Sequence, residues 1–175
     1  MTVGVPDVAE LLRGCQRSAV HLEMRDGYMR SDPMFVAWQQ GRREEAAHSE
    51  TWWRAWLDLL AQLHSRGVVL RRARIVSEPV SEYIRFEYDV TVANVAGGEQ
   101  VRWLPRRRAS DLLLPGNDFW VFDDRLVLWN YFTGEGEVAP DGREITEDPV
   151  LVKTCISAFE SVWDRAIPHE EYRPL

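Results

Sequence analysis

The chain has 175 residues and carries 21 Lys and Arg against 28 Asp and Glu, a formal charge of −7 that disfavours a nucleic-acid surface. Apolar residues make up 45%, enough for the core of one ordinary domain, and the 8 tryptophans exclude a disordered chain, which would be poor in aromatics. No apolar run approaches the ~20 residues of a membrane span, and the first residues lack the basic start and apolar run of a signal peptide, so a cytoplasmic protein is expected.

Taken in order, Asp7 caps a short predicted helix with Val8, Leu11 and Leu12 on one face, ended by Gly14. Val20, Leu22 and Met24 alternate with polar residues before Asp26-Gly27 and Tyr28-Met29, a hairpin signal. Asp32-Pro33 opens a short helix closed by Gly41, with Pro33 at its first position, and 42–50 reads as a solvated connection. A stronger helix covers about 50–65, where Trp52, Trp53, Trp56, Leu57, Leu60 and Leu63 recur at helical spacing before Gly67. Val68–Val76 reads as a strand. The next segment, Ser81–Ala96, fits two patterns. Ile84, Phe86, Tyr88, Val90 and Val92 alternate as in a strand, while Ile84, Tyr88, Val92 and Val95 share a helix face that Gly97-Gly98 would end.

Val101–Leu104 is a short strand ending at Pro105. Phe119–Phe122 and Leu126–Phe132, joined by Asp123-Asp124-Arg125, read as an antiparallel hairpin. The Gly- and acid-rich piece 133–147 reads as loop. Asp148-Pro149 then starts a helix with Leu151, Cys155, Ala158, Phe159, Val162 and Ala166 on its apolar face and Pro168 at its end. Cys15 and Cys155 show no metal or redox spacing and read as reduced thiols used as small apolar residues. The fold class expected is α+β: a single domain with a mixed sheet of about five strands flanked by helices. Within it, 1–67 is mainly helical with a hairpin, 68–168 holds the sheet and last helix, and 169–175 is a tail.

The series from Val68 to Pro168 resembles the phospholipase D-like fold, and in particular its non-catalytic versions in bacterial and archaeal regulators. The carrying residues are Asp118–Arg125 (DFWVFDDR) and the helix from Asp148-Pro149 to Trp163-Asp-Arg-Ala-Ile-Pro168. The resemblance implies that Ser81–Ala96 is the crossover helix between two parallel strands. The whole chain also resembles an uncharacterised actinobacterial family that shares S-A-x-H-L-E-x-R-D-x-Y (Ser18–Tyr28), D-F-W-V-F-D-D-R and P-H-x-x-Y-R-P (Pro168–Pro174). That family has no established activity, and its genes often neighbour helix-turn-helix regulators.

Catalytic phospholipase D enzymes pair a His nucleophile with a Lys two residues later, the Lys neutralising phosphate oxygens. Here each His is followed at that spacing by Glu23, Glu50, Arg66 or Glu171, and the only lysine, Lys153, follows Leu151. The sequence therefore excludes that active site. His21 and Glu23 share a strand face and would suit a base with its orienting partner, but without a third ligand a plain polar strand face is favoured. Asp123 and Asp124 offer paired carboxylates, though turn chemistry alone accounts for both. His169–Tyr172 fits a tail with Tyr172 tucked against the fold. Arg102, Arg106, Arg107 and Arg108 beside Trp103 could bind an anion.

The leading expectation is a non-enzymatic regulatory protein with a protein partner, a homodimer being one form. No direct nucleic-acid contact, membrane contact, metal or cofactor is expected. The rival is an enzyme or pocket protein for a small anionic ligand. It would use His21, Glu23 and Asp123 as catalytic groups, with Arg85, Arg102, Trp103, Arg106 and Arg125 for binding, and would need His21, Glu23, Arg85 and Asp123 to converge in one cleft. Trp52, Trp53 and Trp103 are the tryptophans whose exposure would mark an interface.

Overall fold

The computed structural model describes residue 5, residues 7–42 and residues 51–175, with side chains from residue 54 in the last span. Residues 43–50 of the connection expected over 42–50, and the side chains of Trp52 and Trp53, lie outside the described residues. In chain order the elements are α1 (Val8–Gly14), β1 (Ser18–Glu23), α2 (Pro33–Gln39), α3 (Thr51–Ser65), β2 (Val69–Val76), α4 (Glu82–Ala96) and β3 (Gln100–Pro105). A 3-10 turn (Arg106–Ala109), β4 (Asp118–Phe122), β5 (Leu126–Phe132), β6 (Val138–Thr146), α5 (Pro149–Trp163) and β7 (Ile167–Pro168) follow.

Among the described residues the strands form one mixed sheet of seven, in the order β6-β5-β4-β1-β2-β3-β7. β1, β2 and β3 run parallel, and β4, β5, β6 and β7 are joined to their neighbours antiparallel. Parallel neighbours need a crossover, and α4 supplies the one between β2 and β3. Helices cover both faces of the sheet. Val20, Leu22, Ala73, Ile75, Phe119 and Val121 pack on one face with Cys155, Phe159 and Val162 of α5. On the other, Leu59, Leu60 and Leu63 of α3 pack with Leu70, Trp120 and Leu128, while α2 and α4 meet through Phe35, Tyr83 and Phe86. Both cysteines are free and buried, and burial pushes the Cys15 thiol up to about 12 and the Cys155 thiol to about 11. Among the described residues no helix is long and apolar enough to cross a membrane.

The helix starts follow their capping chemistry. Asp32 accepts from the Met34 amide at 2.8 Å and Asp148 from the Val150 amide at 2.8 Å, each ahead of a proline at the first helical position. Ser81 caps α4 through the Ile84 amide at 3.1 Å. The alternation in α4 is produced by a wide buried arc: Tyr83, Ile84, Phe86, Val90, Thr91 and Asn94 are all buried, whereas Val92 is exposed.

Four expectations are corrected. Asp26-Gly27 does not close a hairpin, because β1 sits mid-sheet and takes its partners from far along the chain, β2 and β4. Asp26 instead accepts from the Ser77 amide at 2.7 Å and its hydroxyl at 2.6 Å, tying the end of β1 to the end of β2. The expected loop at 133–147 contains β6, which pairs with β5 from Val127↔Thr146 to Phe132↔Val138. As an outer strand it tolerates Pro140 and a charged, exposed sequence. Its bend has no room for a side chain at Gly142, where a Cβ would fall 2.4 Å from Val138 Cγ1 and 2.7 Å from the Ala139 carbonyl. With β6 and the two-residue β7, the sheet has seven strands rather than about five. The last helix also ends earlier than Pro168, at Trp163.

Candidate functional site

Period two places His21 and Glu23 of β1, and Arg72 and Arg74 of β2, on the sheet face covered by α3 and α4. The parallel register sets His21 opposite Arg72 and Glu23 opposite Arg74. From above, α4 lowers Glu87, Thr91 and Asn94, three residues spaced at helical intervals on one stripe. The result is a layer of charge between sheet and helix.

Every nitrogen of the Arg74 guanidinium is engaged. Its Nε donates to Glu23 Oε2, its Nη1 to Thr91 Oγ1 at 3.1 Å, and its Nη2 pairs with Glu87. The Arg72 Nε donates to Glu99 Oε1 at 2.6 Å and its Nη1 to Glu23 Oε1 at 3.2 Å. Glu99, only 2% exposed, also accepts from Asn94 Nδ2 at 2.7 Å. Both guanidinium groups lie over indole rings, Arg74 5.0 Å from the Trp103 centroid and Arg72 5.7 Å from that of Trp120. Burial favours the neutral acid at Glu23, but Arg74 and then Arg72 overcome it and hold the carboxyl well below its usual range. Burial likewise disfavours the charged guanidinium of Arg74, and Glu23 and Glu87 more than restore it.

His21 differs from its neighbours. It is 7% exposed, stacks on Trp120 with centroids 4.0 Å apart, and burial pushes its pKa down to about 3. Near neutral pH it is therefore an uncharged imidazole. Its buried Nδ1 has no hydrogen-bond partner and stands 3.7 Å from Glu23 Oε1. Beside this layer, Asp118 accepts from the Tyr28 hydroxyl and from the Met24 amide at 2.9 Å. Burial pushes Asp118 up to about 6.

The other residues singled out in the sequence are dispersed. Asp123 sits at the far end of β1 from Glu23, where its carboxylate accepts from the amides of Gln16, Arg17 and Ser18 at 2.9, 2.7 and 3.0 Å. The structure thus brings His21 to Glu23 and separates both from Asp123. Arg85 is exposed on α4. Arg125 pairs with Glu147 at the surface. Arg102 points to the opposite sheet face, donating to the Trp163 carbonyl at 3.0 Å with its guanidinium 4.3 Å from that ring's centroid. Trp103 is fully buried, donates to His169 Nδ1 at 3.1 Å, and stacks on the tucked Tyr172. Arg106 binds the Met24 carbonyl at 2.7 Å, the Ile75 carbonyl at 3.2 Å and the Ser77 hydroxyl at 3.0 Å, clamping three strand ends together. Only Arg107 and Arg108 of that run are exposed.

Sequence reasoning missed Arg72, Arg74, Glu87 and Glu99. A signal for the first two was present: arginines two apart inside the apolar run VVLRRARIV point to one face of a strand that burial must cover. Their partners on α4 and beyond carry no such local mark.

Comparison with solved structures finds the phospholipase D family member Nuc from Salmonella typhimurium, at a TM-score of 0.51 and 12% identity over 95% of this chain and 88% of that one. NucT from Helicobacter pylori matches at a TM-score of 0.51 and 11% identity, covering 91% of this chain and 87% of that one. At these identities the likeness is one of fold, and the fold is phospholipase D-like. No curated protein matches the chain. The family model described as a domain of unknown function (DUF6879) matches residues 6–174, nearly the whole of the sequence, and the chain belongs to that family.

Proposed function

We propose that this protein is a non-enzymatic regulatory module of the bacterial cytoplasm that works by binding another protein, a helix-turn-helix regulator or a second copy of itself. One observation carries the reading: the charges at the polar centre of the sheet are paired with one another. Arg72 and Arg74, the cations at that centre, are committed to Glu23, Glu87 and Glu99. A phosphodiester entering there would have to displace carboxylates from both guanidinium groups. His21 is uncharged and stacked, and Lys153 belongs to α5 on the other side of the sheet. In this reading the fold is shared with phospholipase D-like proteins, and the charges at the centre of its sheet serve internal ion pairs.

The test has two arms. Purified protein incubated with bis(p-nitrophenyl) phosphate and with single-stranded DNA is expected to hydrolyse neither above the buffer rate. Hydrolysis that disappears in His21→Ala would overturn the non-enzymatic reading. In the second arm, light scattering of the purified chain and tagged capture from native lysate are expected to give either a dimer mass or a stoichiometric protein partner. A monomer that captures nothing would overturn the partner reading.

A further inference from the structure

The ion-pair layer has an opening. Between α2, α3 and α4 and the strands beneath them lies a cavity of about 250 Å³ whose floor includes Glu23, Arg72 and Arg74. Trp56, Tyr83 and Phe86 line it, and Met29 and Asp32 belong to its lining from the side of α2. Tyr83 and Phe86 are buried, Trp56 and Asp32 half-buried, so the space has a dry wall and a wetter one. Such a mix of apolar wall and few placed charges is what small-molecule sites share.

Its charge decides the kind of guest. Among the described residues, Glu23, Glu87 and Asp32 line the cavity against Arg72 and Arg74, three formal negative charges to two positive. Glu99, behind Arg72, adds a further negative charge. Donors are spent in the same way: the three nitrogens of Arg74 and two of Arg72 already bond to the protein. Acceptors are in surplus, because carboxylate oxygens can each take more than one bond. An anion would meet negative charge and few free N–H groups. A cation would meet carboxylates and aromatic faces, the pairing that recognises ammonium groups.

We propose that this cavity binds a small organic ammonium or guanidinium ion, with Glu23, Glu87 and Asp32 as counter-charges and Trp56, Tyr83 and Phe86 as its walls. The site is independent of the regulatory reading above, since a partner-binding protein needs no such ligand and an ammonium-binding one needs no partner. Calorimetric titration with tetramethylammonium, putrescine and agmatine, at fixed low ionic strength, is expected to show saturable one-site binding of at least one, with inorganic phosphate showing none. Asp32→Asn keeps the α2 cap, because Asn caps as well as Asp, and removes one counter-charge. It is expected to weaken binding several-fold. Trp56→Leu removes an aromatic wall and is expected to weaken binding about fivefold. Unliganded melting temperatures close to the parent's verify that both variants fold. No saturable binding of any of the three cations, phosphate binding tighter than they do, or binding unchanged in both variants would each overturn the site.

Discussion

Arg74→Met is the sharpest probe of the ion-pair layer. Methionine keeps much of the packing volume beside Trp103 but deletes the cation that serves Glu23, Glu87 and Thr91. Two carboxylates then share one fewer guanidinium in a site where Arg74 is 5% exposed. Removing one partner of a buried pair costs about 3–5 kcal/mol, chiefly because the remaining charge stays buried and uncompensated. For a chain of this length that corresponds to a fall of roughly 10 °C in Tm. The pH dependence gives the reasoning its direction. In the parent, Glu23 has a depressed pKa, so its stabilisation is present above the usual carboxylate range and is lost as pH falls towards that native value. Without Arg74, burial is opposed by Arg72 alone and the native pKa rises. Protonation then relieves the variant before it affects the parent. Urea unfolding followed by circular dichroism from pH 7.5 to pH 4 should show the gap between the two proteins narrowing as the pH falls. Adding Glu23→Gln to Arg74→Met should recover part of the loss, a non-additivity expected of direct partners. A loss under about 1 kcal/mol, or a gap that ignores pH, would refute the argument.

Two further outcomes follow from the strand ends. Tyr28→Phe removes a hydroxyl donor from the buried Asp118 carboxylate, and is expected to cost about 1–3 kcal/mol near pH 8. Asp118 has a raised native pKa, so its ionised form costs stability above about 6 and that cost is relieved below it. The Tyr28→Phe penalty should therefore shrink on acidification through this range, as chemical denaturation at pH 8 and pH 5 would show. An equal penalty at both would count against it. Asp123→Ala deprives three consecutive amides at the start of β1 of their acceptor and also stands at φ 51°, a left-handed value that favours Asn, Asp or Gly. Thermal unfolding should place Asp123→Asn, which keeps the left-handed preference and one acceptor oxygen, between the parent and Asp123→Ala. Equal melting temperatures for the two variants would show that neither a side-chain acceptor nor the left-handed preference at 123 holds this turn.

What could be read in advance was local. Asp32-Pro33 and Asp148-Pro149 announce their helices because cap and proline act within four residues of each other. The aromatic hairpin 119–132 was legible for the same reason: its partners are neighbours in the chain. β1 was misread because its partners, beginning at Val69 and Phe119, lie far along the sequence, while Asp26-Gly27 offered a turn close by. β6 was missed because an outer strand need not be apolar or free of proline. The site divided along the same line. His21 and Glu23 were visible as two polar residues on one strand face. Which charges neutralise which is settled across β1, β2, α4 and the start of β3, and the run of Arg106–Arg108 drew attention to positive charge that the fold uses mainly at Arg106, as a clamp.

The position of β1 has a consequence for how the chain is made. The first of the described strands in chain order is the middle strand of the finished sheet, and both of its edges stay open until later strands are synthesised. One edge waits for β2, the other for β4, and the helix that covers their far face comes later still. The sheet therefore joins residues far apart in sequence at its centre, and Tyr172 and Leu175 join it too, Tyr172 stacked on Trp103 and the Leu175 carbonyl accepting from the Val80 amide.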